Sequence, residues 1–132
     1  MALTDFQPAY FRVREDGEVV ITAIVVPQLT EEENIEQMGQ EFFTLVDQYE
    51  CRRLVVDLSH VEYATSAALG KLITLHRRLH RHDGKLVLCG VRGALAEILA
   101  TSRLLDYFHV ADDADGAAAQ LRADNAPPRD TV

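Results

Sequence analysis

Leu54-Val55-Val56-Asp57-Leu58-Ser59-His60-Val61-Glu62-Tyr63-Ala64-Thr65-Ser66-Ala67-Ala68-Leu69-Gly70 decides how the rest of the chain is read. Leu54 to Leu58 is aliphatic apart from one acid, the pattern of a short buried strand. A loop follows, and from Ser66 to about Arg81 apolar residues recur at helical spacing. At about 100° per residue, Ala68, Leu72, Leu75 and Leu79 fall within about 60° of one another and form the stripe that faces a sheet. Leu69 and Ile73 lie roughly 100–140° around from it, Ser66 about 160° and Gly70 about 200°. A serine therefore opens a helix, flanked by two large apolar side chains at an edge that the sheet need not cover. Read from geometry alone, this is either a serine N-cap among ordinary boundary residues or an exposed contact surface. Gly70 costs the helix up to ~1 kcal/mol relative to Ala, which close approach by another backbone would explain.

Working outward, Phe11-Arg12-Val13-Arg14 alternates as a half-buried strand does, and Asp16-Gly17 predicts a tight hairpin into Val19–Val26. That second strand is apolar on both faces and so belongs inside a sheet; Pro27 ends it. Thr30-Glu31-Glu32-Glu33 has capping-box spacing, with Thr30 as N-cap. Ile35, Met38, Phe42, Leu45, Val46 and Tyr49 then mark a helix to about Glu50. Its acidic start suits the positive end of the helix dipole and reads as a solvated helix start rather than a cation site. Downstream of the central stretch, Asp83-Gly84 stops the helix and Lys85–Gly90 is a third apolar strand. Arg92 to about Thr101 predicts a helix, Tyr107–Val110 a short last strand, and Ala117–Arg122 a final helix. Strands alternating with helices predict one α/β domain over residues 1–122, with a loose tail over 123–132. The expected sheet is mixed, mostly parallel, of four to five strands, with one antiparallel edge strand and about four helices.

The 132 residues suit a single domain, and 48 % apolar content allows a real core. Thirteen basic against twenty-one acidic residues give a net charge of −8, which opposes general nucleic-acid binding. No apolar run approaches the ~18–20 residues of a membrane span. Met1–Asp5 lacks the basic and apolar regions of a signal peptide. Cys51 and Cys89 belong to no C-x-x-C pair, so reduced thiols in the cytoplasm are expected. No G-x-G-x-x-G, G-x-x-x-x-G-K-[ST] or G-x-S-x-G occurs, and the fingerprints of dinucleotide, P-loop and hydrolase sites are missing with them. His76-Arg77-Arg78-Leu79-His80-Arg81-His82 is a basic helix end, and cations suit that pole of the helix. His76 and His80 share a face that zinc could use, but no nearby carboxylate or Cys completes a ligand set in sequence. An anionic or acidic-partner contact is the other use of such a run. His60 and His109 stand isolated and are read as structural.

The central stretch resembles the signature of the STAS domain family, typified by bacterial anti-sigma factor antagonists. That signature is a strand ending Asp-Leu, then Asp-Ser-Ser/Thr-Gly-Leu-Gly opening a helix. Asp57-Leu58 matches the strand end, Tyr63 the aromatic before the motif, Ser66 its first serine, and Leu69-Gly70 its close. Gly84-Lys85-Leu86-Val87-Leu88-Cys89 is similar to the family's Gly-Gly-x-hydrophobic strand. Ser102-Arg103-Leu104-Leu105-Asp106-Tyr107-Phe108 is similar to its Thr-Gly-Leu-x-x-Leu-Phe segment. The resemblance covers about residues 9–122. Thr65 replaces the motif's Asp, Ala67 its second hydroxyl residue and Ala68 its Gly.

The resemblance implies a protein-binding switch rather than an enzyme. Ser66 would be the phosphorylated residue, with Thr65 as second choice and Asp57 as support. Ser66, Leu69, Gly70, Ile73 and Arg77 would touch the partner. That partner would be an anti-sigma factor that is also a serine kinase and holds the ATP, with a phosphatase resetting the switch; no cofactor is implied for this chain. Thr65 in place of Asp favours the alternative, a constitutive, non-phosphorylated scaffold in a signalling complex. A metal-dependent enzyme using His76 and His80 is the third reading.

Overall fold

The computed structural model describes residues 3–124. Its elements run β1 (Phe11–Asp16), β2 (Val19–Ile24), β3 (Gln28–Leu29), α1 (Glu32–Asp47), β4 (Arg53–Asp57), β5 (Tyr63–Ala64), α2 (Ser66–Arg81), β6 (Lys85–Cys89), α3 (Gly93–Thr101), α4 (Leu104–Tyr107), β7 (His109–Ala111) and α5 (Ala114–Asp124). The main sheet has the order β1-β2-β4-β6-β7, antiparallel at β1–β2 and parallel in its other pairs. The hairpin register pairs Asp16 with Val19, leaving Gly17 and Glu18 as the loop. Gly17 alone of the two takes positive φ, +64°, which is why glycine stands there.

From β2 onward every parallel connection steps in the same direction across the sheet. Right-handed crossovers therefore place α1, α2 and α3 on one face. Period-2 alternation divides the side chains accordingly. Val20, Ile24, Leu54, Val56, Leu86 and Leu88 join the core beneath those helices, whereas Val19, Ile21, Val55, Val87 and Cys89 face Ala117, Ala118 and Leu121 of α5. The strand order never reverses, so the crevice that doubly wound folds use for nucleotides does not form. Thr22, buried at 0 % exposure, donates its hydroxyl to the Val55 carbonyl at 2.7 Å.

Five helices stand where about four were expected, and several boundaries move. Thr30 does not cap α1: the N-cap is Glu31, without a side-chain cap bond, and the helix stops at Asp47. The side chain of Glu31 turns instead to Asn34, whose amide donates to it at 2.7 Å. Residues 104–107 form a helical turn, so the last strand begins at His109 and excludes Tyr107 and Phe108. At the Asp83-Gly84 stop it is Asp83 that takes positive φ, +60°. Gly84 serves close packing, since a Cβ there would sit 2.7 Å from the Arg52 carbonyl. Helix α5 runs to Asp124, into the expected tail, the rest of which lies outside the described residues.

One pairing had no sequence signal. Gln28–Leu29 and Tyr63–Ala64 form a separate two-stranded parallel sheet. Two residues are too few to display a period, yet this clamp fixes where α2 begins.

Candidate functional site: the start and outer face of helix α2

The segment entering α2 is held from both sides. The Pro27 carbonyl accepts the N–H groups of Glu62 and Tyr63 at 2.8 and 3.2 Å, and the Leu29 carbonyl accepts that of Thr65 at 3.1 Å. At the other end of the loop, the Asp57 carboxylate accepts the Ser59 N–H at 2.9 Å. Gly90, at φ +71°, leaves room for this turn, because a Cβ there would lie 2.7 Å from both Asp57 Oδ1 and Ser59 N. Asp57 therefore shapes the loop between β4 and β5, and its direct partners lie there and on β6 rather than at Ser66.

Thr65 is extended (φ −79°, ψ 169°) and is the N-cap; its hydroxyl accepts the Ala68 N–H at 3.3 Å. This corrects the serine N-cap reading. Asp is a strong N-cap residue, and Thr65 performs the same task with a hydroxyl where the motif has Asp. With Thr65 occupied, exposed Ser66 becomes the first residue of the helix, and its hydroxyl makes no hydrogen bond among the described residues. The Ser66 and Ala67 N–H groups likewise meet no acceptor among them. No acid occupies the first turn.

Leu69 does not belong to the surface: it is 4 % exposed and joins the main apolar core, which includes Ala64, Leu95, Leu99 and Phe108. The core thus wraps around α2 beyond the sheet-facing stripe. Burying a leucine there contributes ~1.5–3 kcal/mol. Ile73 is half-buried against the same cluster, and Arg77 is exposed. A Cβ on Gly70 would meet nothing within 4 Å, so among the described residues no backbone from outside α2 approaches it. Ser66, Gly70, Ile73 and Arg77 consequently form one outward strip along α2.

Two grooves flank this strip. Beside the helix start, Tyr63, 44 % exposed, forms a shallow groove of about 360 Å³ with Ala94, Glu97, Ile98, Thr101 and Ser102. Farther along, Thr74, His76, Arg77, His80, Arg81 and Tyr107 line one of about 500 Å³. The sequence reading placed none of Thr74, Ile98 or Tyr107 at a site. Exposed aromatics were the available signal, but their exposure depends on the placement of α3 and α4.

His76 is not isolated from His109. Their ring centroids are 6.3 Å apart, with Tyr107 4.9 Å from His76. Burial, then the neighbouring His109 and His80, holds the His76 pKa below its ordinary value. Among the described residues no three His, Cys, Asp or Glu side chains are grouped to hold a metal ion. Cys51 and Cys89 are free and buried, their thiols pushed up to about 12 chiefly by burial, so both remain protonated at neutral pH. No helix among the described residues is long and apolar enough to cross a membrane.

A mixed, mostly parallel sheet covered on both faces, with an exposed serine at the head of α2, defines a domain of the STAS type. The chain belongs to the STAS domain family, whose model matches residues 10–117. It is 35 % identical over 89 residues to BtrV of Bordetella bronchiseptica, named an anti-sigma factor antagonist; the match covers 67 % of this chain and 76 % of that one. An anti-sigma factor antagonist from Thermotoga maritima has the same fold, with TM-score 0.75, 19 % identity and coverage of 85 % of this chain and 94 % of that one. So does the Bacillus cell-fate determinant SpoIIAA in its phosphorylated form, with TM-score 0.65, 17 % identity and coverage of 85 % and 99 %.

Proposed function

We propose that this protein is a cytoplasmic anti-sigma factor antagonist that works as a phosphorylation-gated binding switch. Unmodified, the outward strip of α2 docks on an anti-sigma factor that is also a serine kinase and holds the ATP; phosphate on Ser66 releases it, and a phosphatase resets it. The single observation behind this reading is an exposed serine hydroxyl at the first position of a helix, without a hydrogen-bond partner among the described residues, as are the Ser66 and Ala67 N–H groups beside it. Thr65, engaged as the cap, is the weaker acceptor of phosphate. That SpoIIAA exists in a phosphorylated form supports the reading by similarity.

Phosphate would add about −1.5 to −2 charges at Ser66. The helix start tolerates that charge, because free N–H groups and the dipole both favour an anion there. A docked interface does not, because burying a dianion without paired cations is costly. The fold survives modification and the complex does not, as a reversible switch requires.

The test is incubation with the cognate anti-sigma kinase and ATP, followed by intact-mass and phosphopeptide analysis. A single phosphate on Ser66 is expected. By calorimetry, Ser66→Asp should weaken binding at least about 100-fold, while the melting temperature holds or rises by up to about 4 °C. An unchanged mass with binding intact would favour the constitutive scaffold, the reading that Thr65 in place of the motif's Asp supports.

A further inference from the structure

We infer that the groove between the C-terminal half of α2 and Tyr107 is a second contact for the docked partner, and that it receives an acidic segment carrying an apolar side chain. This rests on the docking of a partner along α2 proposed above and names the chemistry of that partner's surface.

The cations of α2 divide into two sets. Lys71 and Arg78 face α1, where Lys71 pairs with Glu36 at 2.7 Å, and Arg78 pairs with Asp47 and lies 4.2 Å from the centroid of the Phe43 ring. Arg77, His80 and Arg81 lie on the other side, exposed, and their side chains have no hydrogen-bond or ion-pair partner among the described residues. They line the groove of about 500 Å³ together with Thr74, His76 and Tyr107, and among the described residues no carboxylate lines it. Tyr107 is 39 % exposed and is braced by Phe108 at 5.2 Å and His76 at 4.9 Å, giving the groove a rigid aromatic wall. The Nδ1 atom of His76, another lining residue, is buried with no hydrogen-bond partner among the described residues.

Charge complementarity selects the occupant. The chain carries −8 overall, so an acidic partner is repelled by most of its surface and attracted here. Such local inversion sets the register of docking more than it adds affinity. Arg77 also belongs to the strip that begins at Ser66, so one partner lying along α2 meets both places. A basic run at a helix end is usually only solvated; here it meets a preformed groove and an exposed aromatic, a pairing enriched at interfaces.

The experiment uses the isotope-labelled full-length protein and two synthetic twelve-residue peptides. One intersperses Glu with Phe, and its control carries Gln for every Glu. Amide shifts confined to Thr74–Arg81 and Tyr107, with the Gln peptide bound at least about tenfold more weakly, are expected. Arg77→Glu/Arg81→Glu should lose about tenfold or more, and Arg77→Gln/Arg81→Gln less. Both change exposed residues, and their spectra report whether the fold is kept. Arg14→Glu, a charge reversal at an exposed position on β1, at the opposite edge of the sheet from β7, should leave peptide affinity unchanged. Equal binding of the two peptides, or indifference to charge reversal, would overturn the inference. So would matching shifts at lower concentration with inorganic phosphate or oligouridylate, which would make a small anion or RNA the occupant. Failure here leaves the Ser66 switch standing, and an unphosphorylated Ser66 leaves this groove to be judged by the peptides alone.

Discussion

Helices α1 and α2 are both sixteen residues long and both follow an extended residue, yet their first turns are built in opposite ways. Helix α1 opens with Glu32 and Glu33 behind an N-cap whose side chain makes no cap bond. Its positive pole is already met by fixed charge, and nothing is left for a regulator to add. Helix α2 opens on a working Thr65 cap, no acid, and a serine with its hydroxyl free. Its pole is satisfied in hydrogen bonding at Ala68 but not in charge. The difference separates a helix start that serves stability from one that can be rewritten by phosphate.

Mutations can break this contrast. The largest effect on stability is expected at the caps: Thr65→Ala should cost about 1 kcal/mol in urea unfolding, whereas Glu31→Ala should cost only a few tenths because no cap bond is lost. Equal losses would mean that the two starts are alike. Gly70→Ala should then stabilise the fold by up to about 1 kcal/mol, since the added methyl enters open space and helix propensity improves. The same variant should bind the partner more weakly if the strip is a docking face. A gain in stability with unchanged binding would detach Gly70 from function.

A subtler contrast lies in charge. At low ionic strength Ser66→Asp should gain about 0.3–1 kcal/mol and Glu33→Gln should lose a similar amount, both fading in 1 M salt. If Ser66→Asp destabilises, the helix start is not ready for an anion. The smallest effect concerns the middle of α2. The His76 pKa is lowered on folding, so between the folded value and about 6.5 the unfolded chain binds more protons. Stability from this group is full above that window and falls as the pH drops through it. Burial disfavours the charged ring most, and the neighbouring His109 and His80 disfavour it further. Melting curves of His76→Phe should be flatter over this range than those of the native chain.

Much of this was legible in the residues. Alternation in β1, the two-faced apolar β2 and β4, and the stripe of Ala68, Leu72, Leu75 and Leu79 all appear in place, because periods of 2 and 3.6 are local geometry. The resemblance centred on Asp57–Gly70 named the family, and Ser66 stands exposed as expected. Thr30 failed as a cap because a capping box is only one of several ways to start a helix. Leu69 is buried where an uncovered edge was expected, because helical phase locates the sheet but not how far the core extends around the helix. Arg103 escaped notice for a different reason. It stands where the family pattern has Gly and takes φ +62°, a left-handed conformation that a glycine adopts without steric cost.

Sequence by itself determined the order of strands and helices, the hairpin at Gly17, the apolar stripes and a serine at the head of α2, since each is written in neighbours no more than a few residues apart. Tertiary structure decided which side chains around that serine stay uncovered. It buried Leu69, left Gly70 facing empty space, clamped the entry to α2 with Pro27 and Leu29, and brought Tyr107 to the basic end of the same helix. Exposure is a property of what packs against a residue, and those partners are distant in the chain.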